Sequence, residues 1–198
     1  MHIADGVLGL EATIVVSTIS AIALFKAIKE LKNEDISITA VCSAMFFIAS
    51  FIHIPFGVTQ IHLILLGVIG ILISWSSFVS IFVALLLQAL LLGYGGISSL
   101  GVNLFIMATP AVIIYYLYNL QIIKNLNDKI KFFLVGFLGT FFATLFLTLI
   151  LYFSKEEFNY VALSIFGVNI ITMVIEGVVS MFLLLFIKKV YPKILENR

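Results

Sequence analysis

Charge is what this sequence has least of: 11 Lys and Arg and 10 Asp and Glu among 198 residues leave a formal net charge of +1. So small a surplus, spread between apolar runs rather than gathered in a stripe, excludes a nucleic-acid-binding role. The one cysteine, Cys42, excludes an internal disulfide, and its place in an apolar run predicts a small buried side chain. No Lys or Arg precedes the first apolar run, which carries Asp5 and Glu11 instead. A cleaved secretory signal has the opposite flank, so the first residues are expected to stay on the mature chain. The one glycine-rich stretch, Gly93 to Gly101, has no strand before it and no lysine after it, which leaves no phosphate loop. No His-Glu-x-x-His set is present either, and an intramembrane metal-dependent enzyme would need that or an equivalent group.

Apolar residues, by contrast, make up 63% of the chain, and the mean hydropathy is +1.25. A soluble domain has roughly 45–50%, so the chain is expected to be a membrane protein, a single transmembrane domain over residues 1–198. Measured against the roughly 20 residues that cross a bilayer, the apolar runs are Val7 to Ala27, Ile38 to Ile54, Ile61 to Ile73, Phe78 to Leu92, Val102 to Leu120, Phe132 to Phe153 and Tyr160 to Ile187. The fold class that follows is all-α, a polytopic bundle of about seven transmembrane helices. Pro55-Phe56-Gly57 reads as a turn, Gly93 to Gly101 as a loop dipping toward the protein interior, and Pro110 as a kink. Seven spans with the N-terminus outside put Lys26, Lys29, Lys32, Lys124, Lys129, Lys131, Lys188, Lys189, Lys193 and Arg198 inside and leave only Lys155 outside. Basic residues accumulate in cytoplasmic loops, so this orientation, with a cytoplasmic C-terminus, is the one predicted.

That orientation gathers His2, His53 and His62, all the histidines in the chain, at the outer face. Imidazole is the commonest transition-metal ligand and suits nickel, copper, zinc and cobalt. His2 stands beside the α-amino group of Met1. The amine, the amide nitrogen of His2 and its ring form two fused chelate rings that favour a plane, and one more nitrogen completes a square. A square of nitrogens points to nickel or copper(II) before zinc, which prefers a tetrahedron. His62 is the candidate fourth ligand. His53 is either its competitor or a donor behind it.

The segments Met1-His2-Ile3-Ala4-Asp5-Gly6-Val7-Leu8, His62-Leu63 with Gly67, Leu86-Leu87-Gln88-Ala89-Leu90-Leu91, Gly95-Gly96, Leu100-Gly101-Val102-Asn103, Met107-Ala108 and Ile175-Glu176-Gly177 resemble the CbiM/NikM family. These are the substrate-binding membrane components of energy-coupling-factor transporters for cobalt or nickel. The resemblance implies a seven-helix protein of the prokaryotic cell membrane that holds Co2+ or Ni2+, as cargo rather than cofactor, by the amine of Met1, the amide and ring of His2, and His62. It also implies partners: a coupling transmembrane subunit, a pair of ATP-binding-cassette ATPases and a small accessory membrane subunit. ATP hydrolysis would then belong to the partners, and the chain would not be an enzyme. A vitamin-binding component of the same transporter class is the rival reading. It would keep the helical body but need no chelate at the amino end.

Five further residues attract expectations. Asp5 and Gly6 are expected to cap and turn into the first helix, with ligation by Asp5 the alternative. Asn103 is expected to order the glycine-rich loop or the N-terminal chelate, although intramembrane amides such as Asn103 and Gln88 often simply join helices. Glu176, in the middle of the seventh run, is expensive to ionise there and reads as a helix-packing or coupling residue.

Overall fold

The computed structural model describes residues 3–51, 53–56, 59–154 and 159–196. Its helices are α1 (Leu10–Glu30), α2 (Ile36–Ala49), α3 (Leu66–Ile73), α4 (Ser77–Leu92), α5 (Leu100–Tyr118), the single turn α6 (Gln121–Lys124), α7 (Asp128–Ser154), α8 (Asn159–Val190) and the single turn α9 (Lys193–Glu196). Between α2 and α3 lies a short hairpin of β1 (His53–Phe56) and β2 (Thr59–His62). Five stretches are long and apolar enough to cross a membrane: Leu10–Glu30, Leu66–Leu92, Leu100–Tyr118, Asp128–Ser154 and Ala162–Val190. The chain is a multi-pass helical membrane protein.

One of those five stretches is not a single rod. Gly70 of α3 abuts Ala111 of α5, and Trp75, just past α3, donates its indole N–H to the Tyr116 hydroxyl at 2.9 Å. α3 therefore runs parallel to α5. The other end of α4 returns to the start of α5, where Gly96 meets Asp5. The reversal is made at Ser74, whose φ of 47° and ψ of −123° leave helical space. Its eight residues give α3 a length of about 12 Å, half a membrane crossing.

α3 is the axis of the bundle, since all eight of its residues are buried. Glycine makes that position accessible: a Cβ at Gly67 would collide with the carbonyl of Val135 on α7, and one at Gly70 with the carbonyl of Ala111. With no Cβ at either place, backbones approach closely, as helix contacts in lipid require. α7 and α8 pack antiparallel beside it, with Phe141 against Phe166 at one level and Asp128 bonded to Lys188 at the end of α8. The outward face of α1 is apolar, with Leu10, Ile14, Ile22, Phe25 and Ile28 all exposed, as on a lipid-facing helix, while Ser17 and Ser20 face α5.

Basic residues collect at one end of this bundle. Lys26 lies 3.7 Å from the Trp75 ring centroid, and Lys131 and Lys188 both pair with Asp128. The opposite end holds the N-terminal segment and the Gly93–Ser99 loop. Cys42 is buried on α2, as expected.

Three sequence boundaries need correction. The second apolar run, Ile38 to Ile54, is helical only to Ala49, and its end is β1, where Pro55 pairs across the hairpin with Gln60. The third, Ile61 to Ile73, starts as strand and becomes helix only at Leu66. The glycine-rich loop ends at Ser99 rather than Gly101. Gly101 is inside α5, against Ser17 of α1, where its missing Cβ leaves room for the serine.

Candidate metal centre

The amino-terminal segment is built into the bundle. Ile3 is 3% exposed, its N–H donates to Asn103 Oδ1 at 2.8 Å, and its carbonyl accepts from Asn103 Nδ2 at 3.0 Å. Asn103, one turn into α5, is itself buried and presents to the incoming chain the donor and acceptor pair that a neighbouring strand would offer. Two residues on, Asp5 Oδ1 accepts from the Ser98 hydroxyl at 2.6 Å, the Ser99 N–H at 3.0 Å and the Ser99 hydroxyl at 3.1 Å. The Ser98 hydroxyl above all, with the Ser99 donors, holds the Asp5 carboxyl below the usual carboxylate range. A carboxylate at the start of α5 also complements its dipole.

Asp5 thus binds the N-terminus of α5, not that of α1 as the sequence suggested. The cap position of α1 is Gly9, which has no side chain to bond, and Gly6 makes the turn between the two with φ of +80°. Gly96, at φ of +110°, lies under the Asp5 carboxyl where any Cβ would collide with it. Gly96 is therefore explained by how closely the amino-terminal segment crosses it, while Gly93 and Gly95 take left-handed φ of +68° and +78°.

Met1 and His2 lie outside the described residues; the clamp on Ile3 begins at the next residue. For His53 and His62 the described feature is the backbone, and it places them as directly opposed partners in the β1–β2 register. Two positions separated by eight residues in sequence are thus brought side by side. From His62 the chain passes through the buried residues Leu63, Ile64 and Leu65 into α3.

That passage is held by Glu176, the residue whose role the sequence left least defined. Its fully buried carboxylate accepts the backbone N–H groups of Ile64 and Leu65, the latter at 3.1 Å to Oε2 and 3.3 Å to Oε1. A carboxylate in the middle of an apolar span was the available signal; its partners were not, because they are main-chain amides 111 and 112 residues away. Gln88 is completely buried on α4, and among the described residues its side-chain amide has no hydrogen-bond partner. Among the described residues, too, no three His, Cys, Asp or Glu side chains come together.

Comparison with known proteins agrees with this architecture. Residues 2–194 match the family described as the cobalt uptake substrate-specific transmembrane region, CbiM. A protein of Haemophilus influenzae named for metal transport is 32% identical over all of this chain and 98% of its own length. The cobalt transport protein CbiM of Clostridium tetani is 32% identical over 99% of this chain and 88% of its own. A crystal structure of a transition metal transporter superposes with a TM-score of 0.80 at 26% identity, covering 96% of this chain and 93% of that one. A truncated transition metal transporter gives 0.77, also at 26% identity, over 96% and 99%. With the family match spanning nearly every residue and the fold shared over the same length, the chain belongs to the CbiM family of cobalt uptake substrate-specific transmembrane regions.

Proposed function

We propose that this protein is the metal-capturing membrane subunit of a cobalt or nickel importer, binding the ion from the outer side with an amino-terminal chelate. The observation that carries the reading is the two-way hydrogen bonding between Asn103 and Ile3, which anchors the chain one residue beyond His2. The ligands are the amine of Met1, the amide nitrogen and ring of His2, and the ring of His62. Binding displaces protons from the amine and the amide, leaving a flat nitrogen set suited to Ni2+ or Co2+. Asp5 and Asn103 fix the amino-terminal strand without ligating, and His53 stands behind His62.

The bundle supports bringing the two parts together. Asn103 lies eight residues before Ala111, about 12 Å along α5, and Leu66 lies four residues before Gly70, about 6 Å along α3. Because α3 runs toward Trp75, the segment from His62 enters it from the end where Ile3 is clamped. The end rich in lysine is the cytoplasmic one under the charge rule, and seven passes of the chain then put the amino-terminal segment outside. Energy comes from partners, a coupling membrane subunit and ATPases; the chain's own task is capture, not catalysis.

The experiment is to add one glycine before Met1 in the full-length protein and titrate Ni2+ and Co2+. Moving the amine is expected to abolish tight binding while leaving the unfolding temperature unchanged. Undiminished affinity would overturn the chelate.

A further inference from the structure

α3 begins in the sequence Leu63-Ile64-Leu65-Leu66, which contains no side chain able to cap a helix. The first amides of a helix have no intrahelical acceptor, and in a buried setting each must find one. Here the cap residue Leu65, and Ile64 just before it, find their acceptor on another helix, since both oxygens of the Glu176 carboxylate on α8 take their amides. The backbone at Leu65 is left-handed, with φ of 53° and ψ of 29°, unusual for a residue with a branched side chain. Such a conformation persists where the surroundings over-determine it. On one side the determinant is Glu176, and on the other the glycine contacts that fix α3 against Val135 and Ala111.

Ile64 is two residues from His62, so the path of β2 into α3 has no slack between the strand and the Glu176 bonds. We propose that Glu176 is a positioning residue for metal capture: by gripping the amides of Ile64 and Leu65, it fixes where the strand delivers His62 to the amino-terminal chelate. The role rests on the ligand assignment proposed above, and it works through the main chain rather than by contact with the ion. Without the Glu176 bonds the segment from His62 would be free to shift relative to the anchored Ile3, and a planar four-nitrogen site tolerates little displacement of its fourth member.

The test compares the full chain with its Glu176→Gln, Glu176→Ala and His62→Ala variants in lipid nanodiscs, with Ni2+ as the probe. Three quantities are read: the dissociation constant, the absorption band of bound Ni2+, and amide hydrogen exchange at residues 63–66 without metal. Glu176→Ala is expected to weaken binding by about tenfold or more, the scale of groups that orient a ligand from behind. It should also shift the band and speed exchange at Ile64 and Leu65. Glu176→Gln keeps one acceptor oxygen and should restore part of all three. A purely structural role would lower the unfolding temperature yet leave the dissociation constant and band of the folded fraction at wild-type values, and that result would overturn the proposal. Should Glu176→Ala fail to fold, Glu176→Gln decides: wild-type exchange and affinity overturn the role, faster exchange with weaker binding supports it. Full affinity in His62→Ala would instead overturn the ligand assignment itself. Loss there with unchanged binding in Glu176→Ala would overturn only the positioning role.

Discussion

Asn103 answers the Ile3 backbone at both of its polar atoms, accepting from the N–H at 2.8 Å and donating to the carbonyl at 3.0 Å. One side chain on α5 thereby does for the amino-terminal segment what a paired strand does in a sheet, offering an acceptor and a donor on the two separate atoms of its amide.

Replacing it with leucine should therefore release the segment rather than unfold the protein. Leaving two buried backbone groups unpaired costs about 1–3 kcal/mol each, and the segment avoids that cost by detaching into water. Calorimetric titration of Asn103→Leu with Ni2+ is expected to show affinity reduced at least tenfold, with the unfolding midpoint close to that of the parent protein.

His53 and His62 are opposed in the hairpin, yet they are not expected to be equivalent. His62→Ala should remove most of the metal affinity, because its strand leads directly into the segment fixed by Glu176; His53→Ala should remove less. Equal losses in a side-by-side titration would make His53 the fourth ligand or a full partner in the site.

The glycines of α3 predict a stability effect without any metal. Gly67→Ala and Gly70→Ala would each place a methyl group on a neighbouring backbone carbonyl, and overpacking of that kind costs about 1–3 kcal/mol or more. Gly9→Ala, where a Cβ meets nothing and φ is −64°, should be nearly neutral. Thermal unfolding in one detergent separates the three.

Acid should act on the metal ligands and on the Asp5 tie independently. Binding by the proposed chelate displaces protons from its nitrogen ligands, so metal affinity is expected to fall as the pH is lowered. The Asp5 carboxyl is lowered by its Ser98 and Ser99 donors from an ordinary value of 3.8. A group depressed in the folded state stabilises above its unfolded value and loses that contribution as pH falls through the folded one. The tie between Asp5 and α5 should thus stay intact down to about pH 4, so metal lost above that pH would not be lost through this tie. Metal titrations at stepped pH, with amide exchange at residues 3–8, follow the two losses independently.

What could be read from the sequence was whatever depends on composition and on neighbours along the chain. Apolar run lengths locate α1, α5, α7 and α8 within a few residues, and the lysines mark one end of the bundle before any coordinates are known. The resemblance carried by the hexapeptide from Met1 to Gly6 together with segments such as Leu100 to Asn103 and Ile175 to Gly177 identified the family that residues 2–194 match. Contacts between distant residues were not legible. Asp5 lies close in sequence to the start of α1, so local reasoning assigned it there, but its partners are 93 and 94 residues away. The run from Ile61 to Ile73 is uniformly apolar, so nothing in its periodicity marks the change from strand to helix at Leu66; Glu176 and the α7 backbone impose it from outside.

The brevity of α3 has a consequence for how such a protein can vary. A central helix that crosses only half the membrane leaves the remaining half of the axis to other tenants, here the amino-terminal residues from Ile3 onward and the chain leaving the hairpin. Extending α3 upward by two turns would make a more regular bundle and occupy their place. Irregularity at the centre thus leaves room for the segment that Asn103 clamps at Ile3, and variation that lengthened α3 would be expected to displace that segment before it unfolded the bundle.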